Sequence, residues 1–238
     1  MIFRFKEFEV RHRDSLLKVN TDAVLLGAIT MHDANTNSVL DIGTGCGVIA
    51  LMLAQKFPNA IIHGIEPDDA SCNEAAFNFE NASFASRMKT YHEPLQNFHP
   101  EIHYDLIVSN PPYFEVPEFE KGNNTQNISE RRKKLATQFT LNFDELAQHA
   151  SRLLETKGAF FVIIPANAGE KFEAICISNG LHKFHTTRIQ SKSSSAFQRV
   201  VLGFGKTKRS DIETSLVIYN EDGTRHPEYI SITKDFYL

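Results

Sequence analysis

At 238 residues and 26.9 kDa, the chain is long enough for one well-packed domain and too short for two independent enzymatic ones. A hydrophobic share of 42%, a charged share of 23% and a mean hydropathy of −0.28, with no apolar run of about 18 residues, exclude a membrane span. The charged start MIFRFKEFEVRHRD is not a secretory signal, and a net charge of −4 argues against a nucleic-acid partner unless the charge is unevenly spread.

The expected location is the cytoplasm, with Cys46, Cys72 and Cys176 as reduced thiols, since they lack CxxC or metal-like spacing. In chain order, a helix over Ala23–Thr30 would take Thr21 or Asp22 as its cap. Ser38–Ile42 then reads as a strand, Val48–Phe57 as a helix and Ala60–Ile65 as a second strand ending at Glu66. Pro67-Asp68-Asp69 supplies a helix start for Ala70–Asn81. Met88–His92 and Tyr104–Val108 are short apolar strands of the kind buried on both faces of a sheet. Leu141–Leu154 is a helix, Ala159–Ile164 a strand, and Glu170–Asn179 a helix closed by Gly180. Lys183–Gln190 and Ala196–Phe204, flanking Lys192-Ser193-Ser194-Ser195, read as an antiparallel pair. Repeated β-α units imply a doubly wound, mostly parallel sheet of seven strands, with helices on both faces and the ligand beyond the carboxyl ends of its central strands.

The glycine-rich stretch Asp41-Ile42-Gly43-Thr44-Gly45-Cys46-Gly47 joins the first of these strands to a helix. Its third glycine falls one position too early for a dinucleotide fingerprint. It resembles the loop of class I S-adenosylmethionine-dependent methyltransferases, which implies a Rossmann-like fold and S-adenosyl-L-methionine as cofactor. Glu66, at the end of the next strand, is placed to accept hydrogen bonds from both ribose hydroxyls. Glu93 stands where such enzymes often hold the cofactor's adenine, although Pro94 sits beside it.

Asn110-Pro111-Pro112-Tyr113 follows the fourth strand of this series directly. Two prolines after a strand make a rigid turn whatever the function. The full tetrapeptide suits an amino-group methyltransferase. An exocyclic amine on a base is a poor nucleophile because its lone pair is delocalised. The Asn110 side-chain oxygen and the Pro111 carbonyl would accept its two N–H groups and stabilise the charge that develops on nitrogen. Tyr113 would stack on the base. The same motif serves adenine, cytosine N4 and protein glutamine, so it specifies an sp²-bound nitrogen and leaves open which one.

Both ends of the chain narrow the choice. Phe3, Phe5, Lys6 and Phe8, followed by the run Lys18–Ala28, resemble the amino-terminal region of the bacterial tRNA1(Val) adenine-37 N6-methyltransferase family. Thr233–Leu238 is similar to that family's ending. Asn20 stands where the family usually has glycine, and Glu130–Ala136 only approximates its arginine-rich segment. The resemblance implies methyl transfer to N6 of adenine 37 of a valine tRNA, in a single methyltransferase domain over 1–238. Residues 1–36 would be a cofactor lid and substrate segment, 37–206 the catalytic core and 207–238 a carboxyl-terminal extension. Lys18, Thr21 and Asp22 would lie by the cofactor; from the residues alone, Thr21 and Asp22 could equally be only a helix start.

Charge is unevenly distributed. From Leu181 to Arg209 there is no Asp or Glu, while Lys183, Arg188, Lys192, Arg199, Lys206, Lys208 and Arg209 are basic. Arg131, Arg132, Lys133 and Lys134 form a second cluster some twenty residues after the tetrapeptide. A charge run is often a solvated face, but two of them bracketing a nitrogen-methylation motif point to phosphate contacts at Arg131–Lys134, Arg188, Lys192 and Arg199. Phe114, Phe119 and Phe139 could add stacking surface or belong to the core. The ten histidines show no ligand spacing, so no metal is expected, and a monomer is. A DNA adenine methyltransferase would need a larger recognition insert, and a protein glutamine methyltransferase a helical domain ahead of the core. A non-catalytic RNA-binding module that kept the fold would transfer no methyl group at all.

Overall fold

The chain opens on an antiparallel hairpin, β1 (Ile2–Arg4) and β2 (Glu9–Arg11), with Phe3 opposite Val10. Phe5 and Phe8 in its turn are buried and stack with ring centroids 4.6 Å apart, so aromatic burial holds the turn from inside. The computed structural model describes residues 1–16, 18–111 and 142–238. Helix α1 (Thr21–Ile29) is capped by neither residue expected: the Asn20 side chain accepts from the Ala23 amide at 2.9 Å. Asparagine is among the best caps, and it places Thr21 and Asp22 inside the first turn.

Alternation then follows through β3 (Ser38–Ile42), α2 (Val48–Lys56), β4 (Ile61–Ile65), α3 (Asp69–Glu80), β5 (Met88–Tyr91) and β6 (Tyr104–Ser109). These agree with the sequence reading to within a residue or so at each end. Beyond the tetrapeptide come α4 (Phe143–Leu153), β7 (Leu154–Pro165), α5 (Gly169–Ser178), β8 (His182–Gln190) and β9 (Phe197–Gly205). An Asn142–Glu145 capping box starts α4. Strand β7 begins five residues earlier than expected, because the exposed Glu155-Thr156-Lys157 segment is extended although it buries nothing.

With a further strand, β10 (Ile212–Val217), the sheet has eight strands, not seven, in the order β10-β8-β9-β7-β6-β3-β4-β5. The addition pairs parallel to β8 at the edge. Strand β9 runs antiparallel to β8, as expected, and also to β7, and the other pairings are parallel. Strand alternation sends Val39 and Leu106 to a core shared with α1 and α2, and Leu40 and Ile107 to one shared with α4 and α5. A final helix, α6 (Pro227–Thr233), brings the end of the chain back to its beginning: the Lys6 amide donates to the Phe236 carbonyl at 2.8 Å. The three cysteines are buried and free. Among the described residues, no helix is long and apolar enough to cross a membrane, and no group of three or more His, Cys, Asp or Glu could hold a metal ion.

Candidate active site

The loop between β3 and α2 holds Gly43, Gly45 and Gly47 at φ of 72°, 57° and 82°, a region that costs other residues about 1–2 kcal/mol each. The amides of Gly43 and Thr44 both donate to the Ile65 carbonyl at 3.0 Å, which pins the loop to the end of β4. The reasons for glycine differ along the loop. A Cβ on Gly47 would sit 2.5 Å from Phe79 Cε1, whereas one on Gly43 would meet nothing within 4 Å. Gly47 is required by packing; Gly43 faces open space.

Two buried carboxyls stand behind the loop. Asp41 accepts the Thr44 hydroxyl at 2.7 Å, and burial pushes its carboxyl up to about 7 against that hydrogen bond. Glu66 accepts the Gly45 amide at 3.0 Å on one oxygen and the Asp68 amide at 3.0 Å on the other. Burial raises it to about 7 as well, with those two amides opposing. Each Glu66 oxygen keeps a second lone pair for a ligand. A glycine with room in front of it and a buried carboxylate with spare acceptors fit the cofactor expected from the sequence.

Lys18, Asn20, Gly43, Gly45, Val48 and Asn110 line one cleft, so the segment leading into α1, the glycine loop and the end of β6 meet there. The Ser109 hydroxyl donates to the Ile42 carbonyl at 3.0 Å, joining the ends of β6 and β3 and setting the buried Asn110 and Pro111 beside the glycine loop. Glu93 is partly buried just beyond β5, at the same end of the sheet. Thr21 lines a neighbouring cleft instead, and Asp22 is held by Arg199 at 2.8 Å.

Pro112, Tyr113, Phe114, Phe119, Arg131, Arg132, Lys133, Lys134 and Phe139 lie outside the described residues. The basic stretch of 181–209 is not one face. Because β9 runs against β7 and β8, Arg188, Lys192 and Arg199 fall toward the active-site end of the sheet, whereas Lys183, Lys206, Lys208 and Arg209 fall toward the other. Most of these charges are also engaged. Arg188 pairs with Glu213 at 2.9 Å and Lys183 with Glu173 at 3.0 Å, while Lys206 and Arg209 donate to main-chain carbonyls of Leu154 and Gly158.

Two side chains on α3 had no signal in the sequence. Glu74, fully buried, accepts the amides of Arg13 at 2.8 Å, Asp14 at 3.1 Å and Ser15 at 2.8 Å. Burial alone would raise its carboxyl, but the amides outweigh it and the group lies below its ordinary value. One turn on, Asn78 bridges the end of β2 and the glycine loop: its amide nitrogen donates to the Arg11 carbonyl at 2.7 Å and to the Cys46 carbonyl at 2.8 Å. Glu74→Ala leaves three amides without their acceptor and should cost roughly 2–4 kcal/mol in urea unfolding. Its stabilising effect is present above the unfolded-state carboxyl pKa and is lost as pH falls through the lower folded value, so the gap between variant and wild type should narrow in acid. A variant of unchanged stability at pH 7 would contradict this role.

The methyltransferase small domain model matches residues 19–192. Along its whole length the chain is 38% identical to the tRNA1(Val) (adenine(37)-N6)-methyltransferase of Flavobacterium psychrophilum, covering 100% of this chain and 99% of that one. The chain belongs to this family. The Proteus mirabilis member is also 38% identical, over 99% of this chain and 93% of its own. Among solved structures, a predicted O-methyltransferase from Agrobacterium tumefaciens superposes with a TM-score of 0.69 over 90% of this chain and 96% of that one. At 18% identity that likeness concerns the fold, and it agrees with the Rossmann-like sheet. The matched domain spans α1 to β8, so the β1–β2 hairpin, β9, β10 and α6 lie outside it.

Proposed function

We propose that the chain transfers the methyl group of S-adenosyl-L-methionine to N6 of adenine 37 in the anticodon loop of tRNA1(Val), acting as a cytoplasmic monomer. The observation that carries this reading is the placement of Asn110 and Pro111 at the end of β6, with Asn110 lining the same cleft as the glycine loop. When bound, the cofactor supplies an electrophilic methyl on a positive sulfur. The loop Gly43–Gly47, backed by Asp41, leaves room for its amino-acid part. Glu66 accepts the ribose hydroxyls, Glu93 faces the adenine, and Lys18, Thr21 and Asp22 belong to the lid. Asn110 and Pro111 take the two N–H groups of the target amine, with Pro112 for rigidity and Tyr113 for stacking. No strong base is needed, since the methylated ammonium is acidic and loses its proton after transfer. Residues 1–36 serve as lid, 37–206 as catalytic core and 207–238 as extension, with Arg131–Lys134, Arg188, Lys192 and Arg199 toward RNA phosphates.

The buried carboxyls give this reading a pH signature. Glu66 accepts two hydroxyls fully only when ionised, and burial holds it near pH 7. Cofactor affinity should therefore fall as pH drops below about 7, by up to roughly tenfold per unit for one coupled proton. Calorimetric titration between pH 5.5 and 8 checks this, with Glu66→Gln expected to bind weakly and without that slope. A flat wild-type profile contradicts the ribose role. The reaction is tested with labelled S-adenosylmethionine against unmodified total tRNA, duplex DNA and a release-factor protein in parallel. N6-methyladenosine in tRNA alone is expected; label in DNA or protein alone would sink the assignment.

A further inference from the structure

A second cleft, of about 760 Å³, opens where the two ends of the chain meet, between the β1–β2 hairpin, the start of α1 and the segment around α6. That is the size of pocket, roughly 300–1,000 Å³, that encloses a small ligand. The cations Arg4, Lys6, Arg225 and Lys234 line it, and among the described residues no Asp or Glu side chain does. Phe3 and Tyr237, both partly exposed, supply aromatic surface above the buried Tyr229. Arg4 is paired with Glu9 at 2.9 Å, and the Arg225 guanidinium lies 4.4 Å and 4.5 Å from the ring centres of Tyr219 and Tyr229. Lys6 Nζ donates to the Lys234 carbonyl at 2.6 Å, which sets two exposed lysines side by side. Asn20 lines both this cleft and the one that holds Asn110, so the two are contiguous. Apart from Val19, Asn20 and Thr21, the lining falls outside the matched methyltransferase domain.

Four cations, of which only Arg4 is paired with an acidic side chain among the described residues, interleaved with aromatic rings, form the kind of surface that holds single-stranded nucleic acid by phosphate attraction and base stacking. We infer that this cleft receives the nucleotides flanking the target adenine, with phosphates at Lys6 and Lys234 and an unstacked base against Phe3 and Tyr237. The inference rests on the proposed RNA substrate and adds where that RNA leaves the active site. The positive surface that the −4 net charge conceals is then built by the two chain ends.

The test is the double variant Lys6→Glu/Lys234→Glu, both positions being exposed. Its KM for tRNA should rise about tenfold, and its salt slope should shrink by about 0.7 for each phosphate no longer neutralised, while KM for S-adenosylmethionine and melting temperature stay at wild-type values. In parallel, tRNA carrying a photoreactive uridine beside the target adenine should crosslink to wild-type peptides from residues 1–6 or 225–238. This second measurement decides the matter should the variant not fold. Unchanged tRNA kinetics in a folded variant, or crosslinks confined to other segments, would overturn the inference. A wild-type protein that crosslinks here yet methylates no tRNA would instead refute the proposed reaction and leave this RNA-binding role standing.

Discussion

Asn110→Ala should lower the rate of methyl transfer by roughly two to three orders of magnitude, the range seen when one preorganised polar partner of a transition state is removed. The amine's lone pair is freed only as its N–H groups are drawn toward acceptors, and positive charge grows on nitrogen as the new bond forms. An acceptor fixed in place is therefore worth more in the transition state than in the bound ground state, so the loss should appear in kcat more than in KM. Asn110 is buried at the end of β6, beside a Ser109 hydroxyl bonded to the end of β3, which gives it the rigidity this role requires. Cofactor affinity, set mainly by the glycine loop and Glu66, should change little. Single-turnover kinetics with saturating cofactor make the measurement, and a variant with near-normal turnover would remove Asn110 from the chemistry.

The two glycines at the ends of the loop should fail in different ways when replaced by alanine. Gly47→Ala combines a φ of 82° with a Cβ that would sit 2.5 Å from Phe79 Cε1. Backbone strain of about 1–2 kcal/mol and overpacking of about 1–3 kcal/mol together predict a destabilisation of roughly 2–5 kcal/mol. Gly43→Ala carries the strain alone, since its Cβ meets nothing within 4 Å, and should cost no more than about 2 kcal/mol. Its Cβ would instead intrude on the space left for the cofactor, so its larger effect should be on cofactor binding. Urea unfolding and calorimetric titration of both variants separate the two effects. Equal destabilisation by the two would contradict the distinction between a packing glycine and a cradle glycine.

Central strands such as Ser38–Ile42 and Tyr104–Ser109 were legible because a strand covered on both faces must be apolar throughout, and the glycine loop because its turns admit few other residues. Strand β10 was not, since an edge strand buries little and its residues Ile212–Thr214 are exposed. The cap on α1 was misplaced by a residue or two because Asn20, Thr21 and Asp22 are all competent caps and only the backbone at Asn20 is extended. Glu74 and Asn78 left no trace, because apart from side-chain contacts such as the Arg11 guanidinium at Glu74 their partners are main-chain groups more than thirty residues away, and main-chain groups carry no side-chain signature. The basic run of 181–209 misled for a related reason: adjacency along the chain says nothing about which end of an antiparallel pair a side chain occupies. The pairing of β8 with β9 divides that run between both ends of the sheet.

The central claim is most directly tested by incubating the wild-type protein with S-adenosylmethionine and purified, unmodified tRNA1(Val), then mapping the product by nuclease digestion and mass spectrometry. One added methyl group on the fragment containing adenine 37, released as N6-methyladenosine, is the predicted result. Methylation at any other nucleotide, or none under conditions where the protein binds both cofactor and tRNA, would contradict it.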